Sequence, residues 1–244
     1  MKLLIDAGNT RLKWRLEQAG GVIDEGWSAL RGPDPLADIG IHPGNVSRVA
    51  VSTVIHEVKR LELLSYLERK LSAPVHFYWS EAERCGLRNS YVDVRAMGAD
   101  RWHAMYGAWK HCNGGYAVID AGSAITVDYV DGSGEHLGGY ILPGMTMMLN
   151  SLKNDAARIV FDAREVFVGH PGKSTGECVN QGLSWLIQAM IGRLEVDMAN
   201  FNLRAMLVTG GDAGRLLELG LKGAYHPSLV LEGLAHIDRE VSGE

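Results

Sequence analysis

The decisive stretch is VIDAGSAIT, residues 118–126, because it restates LLIDAGNT, residues 3–10. Each is a short apolar run, then Asp-Ala-Gly, then small hydroxyl or amide residues. Asp6 and Asp120 stand 114 positions apart (120 − 6) in a chain of 244. A strand-and-turn restated at half-chain spacing points to a duplicated unit.

The surroundings of the two copies agree with that. Residues 2–6 (KLLID) form a buried strand, Gly8-Asn9 a tight turn, RLKWRL (11–16) an alternating strand, and 22–28 a third strand. VSRVAVSTV (46–54) is a further strand, and the helix over 56–71 places Val58, Leu61, Leu64, Leu67 and Leu71 on one face. Pro74 opens another strand, 81–97 shows no clear period, and GADRWHAMYGAWKHC starts a helix burying Ala99, Trp102, Tyr106 and Trp109. The second half follows the same plan. It has strands at 116–120, 124–130 and 136–142, and a helix opened by Pro143 and Gly144. A long helix over roughly 175–194 turns Val179, Leu183, Leu186, Ile187, Met190 and Leu194 inward. A strand ending in Gly210-Gly211, a helix from about Asp212 and a last helix at 230–237 complete it. The expected fold is α/β, with two duplicated domains (1–114 and 115–244), each a mixed sheet flanked by helices. A cleft between them is where ligands of open α/β sheets tend to lie.

Composition is that of a globular protein, with 46% hydrophobic and 22% charged residues. The net charge of −5, with no basic stripe, argues against nucleic acid as partner but leaves room for a phosphate ligand. No signal peptide and no membrane span are expected, because the apolar runs are too short. Cys85, Cys112 and Cys178 are odd in number and widely spaced, so they read as reduced thiols of a cytoplasmic protein. The nine histidines read as mostly surface or half-buried.

Each Asp-Ala-Gly turn sets a carboxylate at a strand end and a glycine whose backbone can approach a ligand closely. The amides that follow, with Asn9, Thr10, Ser123 and Thr126, are donors for phosphate oxygens, and Lys13 could reach the same phosphates. A carboxylate beside a phosphate cradle makes sense if it holds a cation, Mg²⁺ through water or a monovalent ion. HPGKST (170–175) imitates the end of a P-loop, but the first glycine of that pattern falls on Phe167, so a true P-loop is rejected.

DAGNTRLK (6–13), GADRW (98–102), DAGSAIT (120–126), the GGY…PGM run (138–145) and TGGDA (209–213) together resemble the type III pantothenate kinases. That family belongs to the acetate kinase, sugar kinase, Hsp70 and actin superfamily, so the resemblance implies duplicated actin-like (ribonuclease H-like) domains. It also implies ATP-dependent phosphorylation of pantothenate, the first committed step toward coenzyme A. Carried over by position, 6–13 is the first phosphate-binding turn, comprising Asp6, Gly8, Asn9, Thr10 and Lys13, with Asp6 near Mg²⁺. Asp100 is similar to the family's proton acceptor. Tyr91, Gly98, Ala99, Arg101 and Thr175 would surround pantothenate. Asp120 would hold a monovalent cation, potassium or ammonium. Gly122 and Ser123 belong to the second phosphate turn, and Gly210-Gly211 meets the nucleoside. The resemblance implies a homodimer whose active site draws on both subunits. One departure is visible: position 123, usually Thr in the pattern, is Ser123, which keeps the hydroxyl.

Several of these residues have other roles open to them. Asp100 suits the first turn of a helix electrostatically, and Arg101 could face solvent beside buried Trp102. Tyr91 could be a loop aromatic, and Thr175 an N-cap without a capping box, since Cys178 stands at the third position. Three other readings remain: a related small-molecule kinase, a nucleotide-binding regulatory or accessory protein without turnover, and an actin-like ATPase that polymerises.

Overall fold

The computed structural model describes residues 1–30, 34–37, 39–40, 43–155 and 170–243; Phe167 lies outside them. The contacts divide the chain into two units, Met1–His111 with Ser228–Glu244, and Cys112–Pro227.

In the first unit, β1 (Lys2–Ala7), β2 (Arg11–Gln18) and β3 (Gly21–Ala29) form an antiparallel meander. After it, β4 (Arg48–Thr53) pairs parallel with β1, and α1 (Glu57–Lys70) crosses to β5 (Val75–Tyr78), parallel to β4. The sheet order is β3-β2-β1-β4-β5. A two-residue hairpin of β6 (Glu83–Arg84) and β7 (Leu87–Arg88) leads to α2 (Ala99–His111). In the second unit, β8 (Tyr116–Ala121), β9 (Ala124–Val130) and β10 (His136–Pro143) repeat the meander. They are followed by α3 (Met145–Asp155), α4 (Thr175–Asn200), β11 (Ala205–Thr209), α5 (Ala213–Glu218) and β12 (Ala224–Tyr225). The order β10-β9-β8-β11-β12 matches the first sheet strand for strand.

The alternation of strand side chains gives each sheet two faces. Leu3, Ile5 and Ala7 pack with Leu63, Leu67 and Leu71 around α1, while Leu4 and Ala50 turn to the other face. There they meet Leu231, Leu234 and Ala235 of α6 (Leu229–Ser242). In the second unit Ala117, Ile119 and Ala121 join Leu149, Leu183 and Ile187 in one core.

The last helix departs from the sequence reading, which drew 228–244 with the second half. α6 lies against α2, β1 and β4. Charge helps to fix it there. The fully buried carboxylate of Asp238 accepts from Lys2 Nζ at 2.6 Å, Arg48 Nε at 2.7 Å and the Tyr78 hydroxyl at 2.7 Å. An apolar helix face does not say which sheet it will cover; these ion pairs do. The α1 face also differs, since Val58 and Leu61 are exposed and Leu63 and Leu67 are buried. In α4 the inward line runs Leu183, Ile187, Ile191 and Leu194, with Leu186 outside. Trp109 at the end of α2 is only half-buried and donates its indole N–H to the Cys85 carbonyl at 3.0 Å. All three cysteines are free thiols. Of the nine histidines, His103 and His136 are buried, the latter 3.0 Å from Asp128. Among the described residues, no helix is long and apolar enough to cross a membrane.

Candidate functional site

The two Asp-Ala-Gly turns are built differently. In the first unit Ala7 pairs with Leu12, so four residues, 8–11, make the turn, and Gly8 N–H donates to the Arg11 carbonyl at 3.0 Å. Asp6 is opposite Lys13 in the antiparallel register and Ser52 in the parallel one. A carboxylate and an ammonium directly across a strand pair are attractive neighbours. Asp6, Gly8 and Lys13 are half-buried, and Asn9 and Thr10 are exposed.

Two further segments join this turn. The Ala7 carbonyl accepts from the Thr53 hydroxyl at 3.0 Å and from Val54 N–H at 3.4 Å. Val54 in turn adjoins Gly98: a Cβ built at 98 would lie 3.3 Å from Val54 Cγ1 and 2.6 Å from Asp100 Oδ1. Only glycine leaves that space, so the Asp100 carboxylate folds back over residue 98 at the start of α2. Arg101 N–H donates to Asp100 Oδ1 at 2.7 Å.

Arg101 is buried, which overturns the solvent-facing alternative, and its Nη1 donates to the Tyr91 hydroxyl at 2.6 Å. Its guanidinium also lies 5.6 Å from the Tyr91 ring centre. Tyr91, Gly98, Asp100 and Arg101 thus form one cluster, with Ala99 buried behind it.

In the second unit Ala121 pairs with Ile125, so the turn has three residues, 122–124, and Gly122 N–H reaches the Ala124 carbonyl at 2.9 Å. Asp120 faces Thr126 on one side and Thr209 on the other. Gly210 has φ +96, and a Cβ there would lie 2.3 Å from the Ala121 oxygen and 2.5 Å from Asp120 Oδ1. Gly144 is equally obligatory: its Cβ would meet the Gly122 oxygen at 2.4 Å and the Ser123 oxygen at 2.5 Å. Gly144 N–H donates to Ser123 O at 3.1 Å, and Asp212 N–H to Ala121 O at 2.8 Å. The turn at 209–213 thus closes on the Asp120 carboxylate, and the junction at 143–145 closes on the backbone of residues 122–123. Carboxylate and carbonyl oxygens crowded at a point suit a hard cation. Exposed Ser123 and Gly211 border the same place.

Thr175 is in the second unit, exposed at the first turn of α4. It is not the cap. Ser174 is, accepting from Glu177 N–H at 3.2 Å, while Glu177 accepts from Lys173 N–H at 2.6 Å. The S-x-x-E spacing at 174–177 announces this arrangement, read one residue earlier than expected. The Thr175 hydroxyl is thereby released from capping. Gly144 was missed as a site residue although the PGM run contains it; its signal was a glycine at a strand-to-helix junction.

Comparison with known proteins identifies the family and the fold. The sequence pattern of the family described as type III pantothenate kinase matches residues 2–196. A type III pantothenate kinase of Marinobacter nauticus is 51% identical over 237 residues, spanning 97% of this chain and 98% of that one. Among solved structures, a Campylobacter jejuni protein assigned to the Baf family of transcriptional activators superposes with TM-score 0.62 at 20% identity, covering 99% and 100% of the two chains. Component A of (R)-2-hydroxyglutaryl-CoA dehydratase from Acidaminococcus fermentans gives 0.53 at 15%, covering 100% and 99%. At those identities the structures speak for the fold alone, which is the duplicated actin-like one.

Proposed function

The chain belongs to the type III pantothenate kinase family, and from that premise we propose that it transfers the γ-phosphoryl group of ATP to the primary hydroxyl of pantothenate. The observation that carries the reading is the Asp100 carboxylate, folded over Gly98, accepting from the Arg101 amide, and flanked by the Arg101–Tyr91 pair. Phosphoryl transfer to an alcohol requires positioning, charge neutralisation and a destination for the hydroxyl proton. Asp100 accepts that proton. Arg101, with Tyr91 beside it, binds the pantothenate carboxylate, since a planar guanidinium matches that group. Gly98 and Ala99 complete the acceptor site of the first unit, and in the second unit the exposed Thr175 hydroxyl is available to an acceptor.

The turn amides at 8–10 and 122–123, with Thr10, Asn9, Lys13 and Ser123, bind phosphate oxygens. Exposed Gly211, with buried Gly210 beside it, offers backbone to the nucleoside. Asp6, paired in register with Lys13, is placed to hold Mg²⁺ through water. Bound Mg²⁺ neutralises phosphate charge and orients the transferred group. Asp120, with the carbonyl oxygens around it, fits a monovalent cation, potassium or ammonium.

We further propose a homodimer, supported by exposed apolar side chains on edge strand β10, including Ile141 at 64%, and on α4 Trp185 at 71%. Such an edge is a hazard unless covered. The short apolar runs and three free thiols support the cytoplasm as the compartment. The accessory-protein reading has less support, because Asp6, Asp100 and Asp120 are all retained. ADP release by the purified protein with ATP, Mg²⁺ and potassium tests the proposal. Release that depends on pantothenate is expected; release with sugars instead, or with no acceptor, contradicts it.

A further inference from the structure

α2, which carries Asp100, is joined to the sheet that carries Asp6 by a buried polar contact outside the chemistry above. His103, three residues past Asp100, is fully buried, and its Nδ1 lies 2.7 Å from the buried Ser52 Oγ. Ser52 stands on β4 beside Asp6 in the parallel register.

This hydrogen bond joins two neutral groups. Burial, aided by the positive charge of Arg84, pushes the His103 ring down to about 3, so the imidazole is neutral at physiological pH and carries one N–H. Among the described residues its Nε2 is buried without a partner, so the contact with Ser52 Oγ is the one side-chain hydrogen bond this ring makes there.

The same residue is backed from the other side. A Cβ at Gly233 of α6 would lie 1.8 Å from the His103 carbonyl oxygen, and one at Gly107 of α2 would lie 2.7 Å from the Leu229 oxygen. The two helices touch backbone to backbone at His103. Of the neighbouring buried side chains, Tyr106 is bonded to Glu240 of α6 and not to the sheet. A hydrogen bond fixes both a distance and an angle.

We propose that the His103–Ser52 hydrogen bond is a positioning device: it fixes how far α2 advances along the sheet, and so sets the Asp100 carboxylate relative to Asp6. The proposal rests on the reading of Asp100 as the base. Misplacement of a reacting group by about 1 Å can cost on the order of 100-fold in rate, so a loss of about 10- to 100-fold in kcat is expected when the bond is removed.

The test measures kcat, KM for pantothenate and melting temperature for His103→Leu, His103→Asn and Ser52→Ala, each alone and combined with Asp100→Asn. His103→Leu and Ser52→Ala should lower kcat while KM for pantothenate stays near its original value. His103→Asn, whose amide nitrogen can reach the place of Nδ1, should recover most of the loss. With Asp100→Asn present the same changes should have little further effect, because no base remains to be misplaced. Full additivity in that background, or a lower melting temperature with kcat intact, overturns the proposal. Should His103→Leu fail to fold, Ser52→Ala, which only removes a hydroxyl, carries the same cycle. If Asp100→Asn alone turns over normally, the base reading falls and this inference with it, and the single variant shows that separately. Ring ¹⁵N shifts give an independent check, expected to show a neutral, hydrogen-bonded imidazole; an imidazolium at neutral pH contradicts it.

Discussion

The two halves share a sheet order but not a turn. After Asp6 the chain uses four residues to reverse; after Asp120 it uses three. The first aspartate faces a lysine across the strand pair, the second a threonine. The carbonyl that follows each is satisfied differently, Ala7 O by the Thr53 hydroxyl and Ala121 O by the Asp212 amide. At the position matching Thr53, the second half has Gly210, whose missing side chain lets the backbone close on Asp120. Duplication supplied one strand pattern, and the turns then diverged into two donor sets. One combines a carboxylate with an ammonium; the other packs a carboxylate against a closed glycine backbone. The first suits cation-bridged phosphate, and the second is the proposed monovalent-ion site.

The comparison breaks most sharply at the glycine. Gly210→Ala should abolish measurable phosphoryl transfer, since the added methyl collides with the Ala121 carbonyl and the Asp120 carboxylate at an already left-handed residue. Thr53→Ser at the matching position should leave most activity. Equal activities for the two variants would contradict the different construction of the turns.

Next in size, Asp100→Asn should fold normally and lose about 10²- to 10⁴-fold in kcat, the usual contribution of a positioned base. Turnover within a few-fold of the original would remove Asp100 from that role.

The smallest expected effect concerns stability. Asp238 and Glu240 tie α6 to the first unit, with Glu240 accepting from Tyr106 at 2.6 Å and paired with Lys110 at 2.8 Å. Burial works upward on the Glu240 carboxyl, but the bonds from Lys110, Tyr106 and Arg84 prevail and hold it at about 2. For Asp238 burial likewise opposes, yet Lys2, Arg48 and Tyr78 leave the carboxyl below its ordinary value. Depressed carboxylates contribute stability that is present above the unfolded value and lost as pH falls through the folded one. The melting temperature should therefore decline as pH drops from about 4.5 toward 2. Glu240→Gln should flatten that decline; an unchanged slope would contradict the tie.

Much of this was legible from residues alone. Period-two runs and Asp-Ala-Gly turns located the strands flanking both turns. What was not legible were choices made by tertiary contact. In α1, LELLSYL offers two rival leucine stripes, and the sheet buries Leu63 with Leu67 rather than Leu61 with Leu64. α4 continues six residues beyond its expected end, carrying buried Asp197 to the Tyr129 hydroxyl at 3.0 Å. The two-residue strand β12 carries too little pattern to be seen. Of the site, the glycines were visible as turn residues. Their close approach to Asp100 and Asp120, and the buried histidine behind α2, required coordinates.

The most direct test of the division between the turns is ADP release titrated separately with potassium and with Mg²⁺, for the original chain, Asp120→Asn and Asp6→Asn. The account predicts that Asp120→Asn moves chiefly the potassium dependence and Asp6→Asn chiefly the Mg²⁺ dependence, with sodium failing to replace potassium in the original chain. Full activity in sodium, or both variants shifting both curves alike, would contradict it.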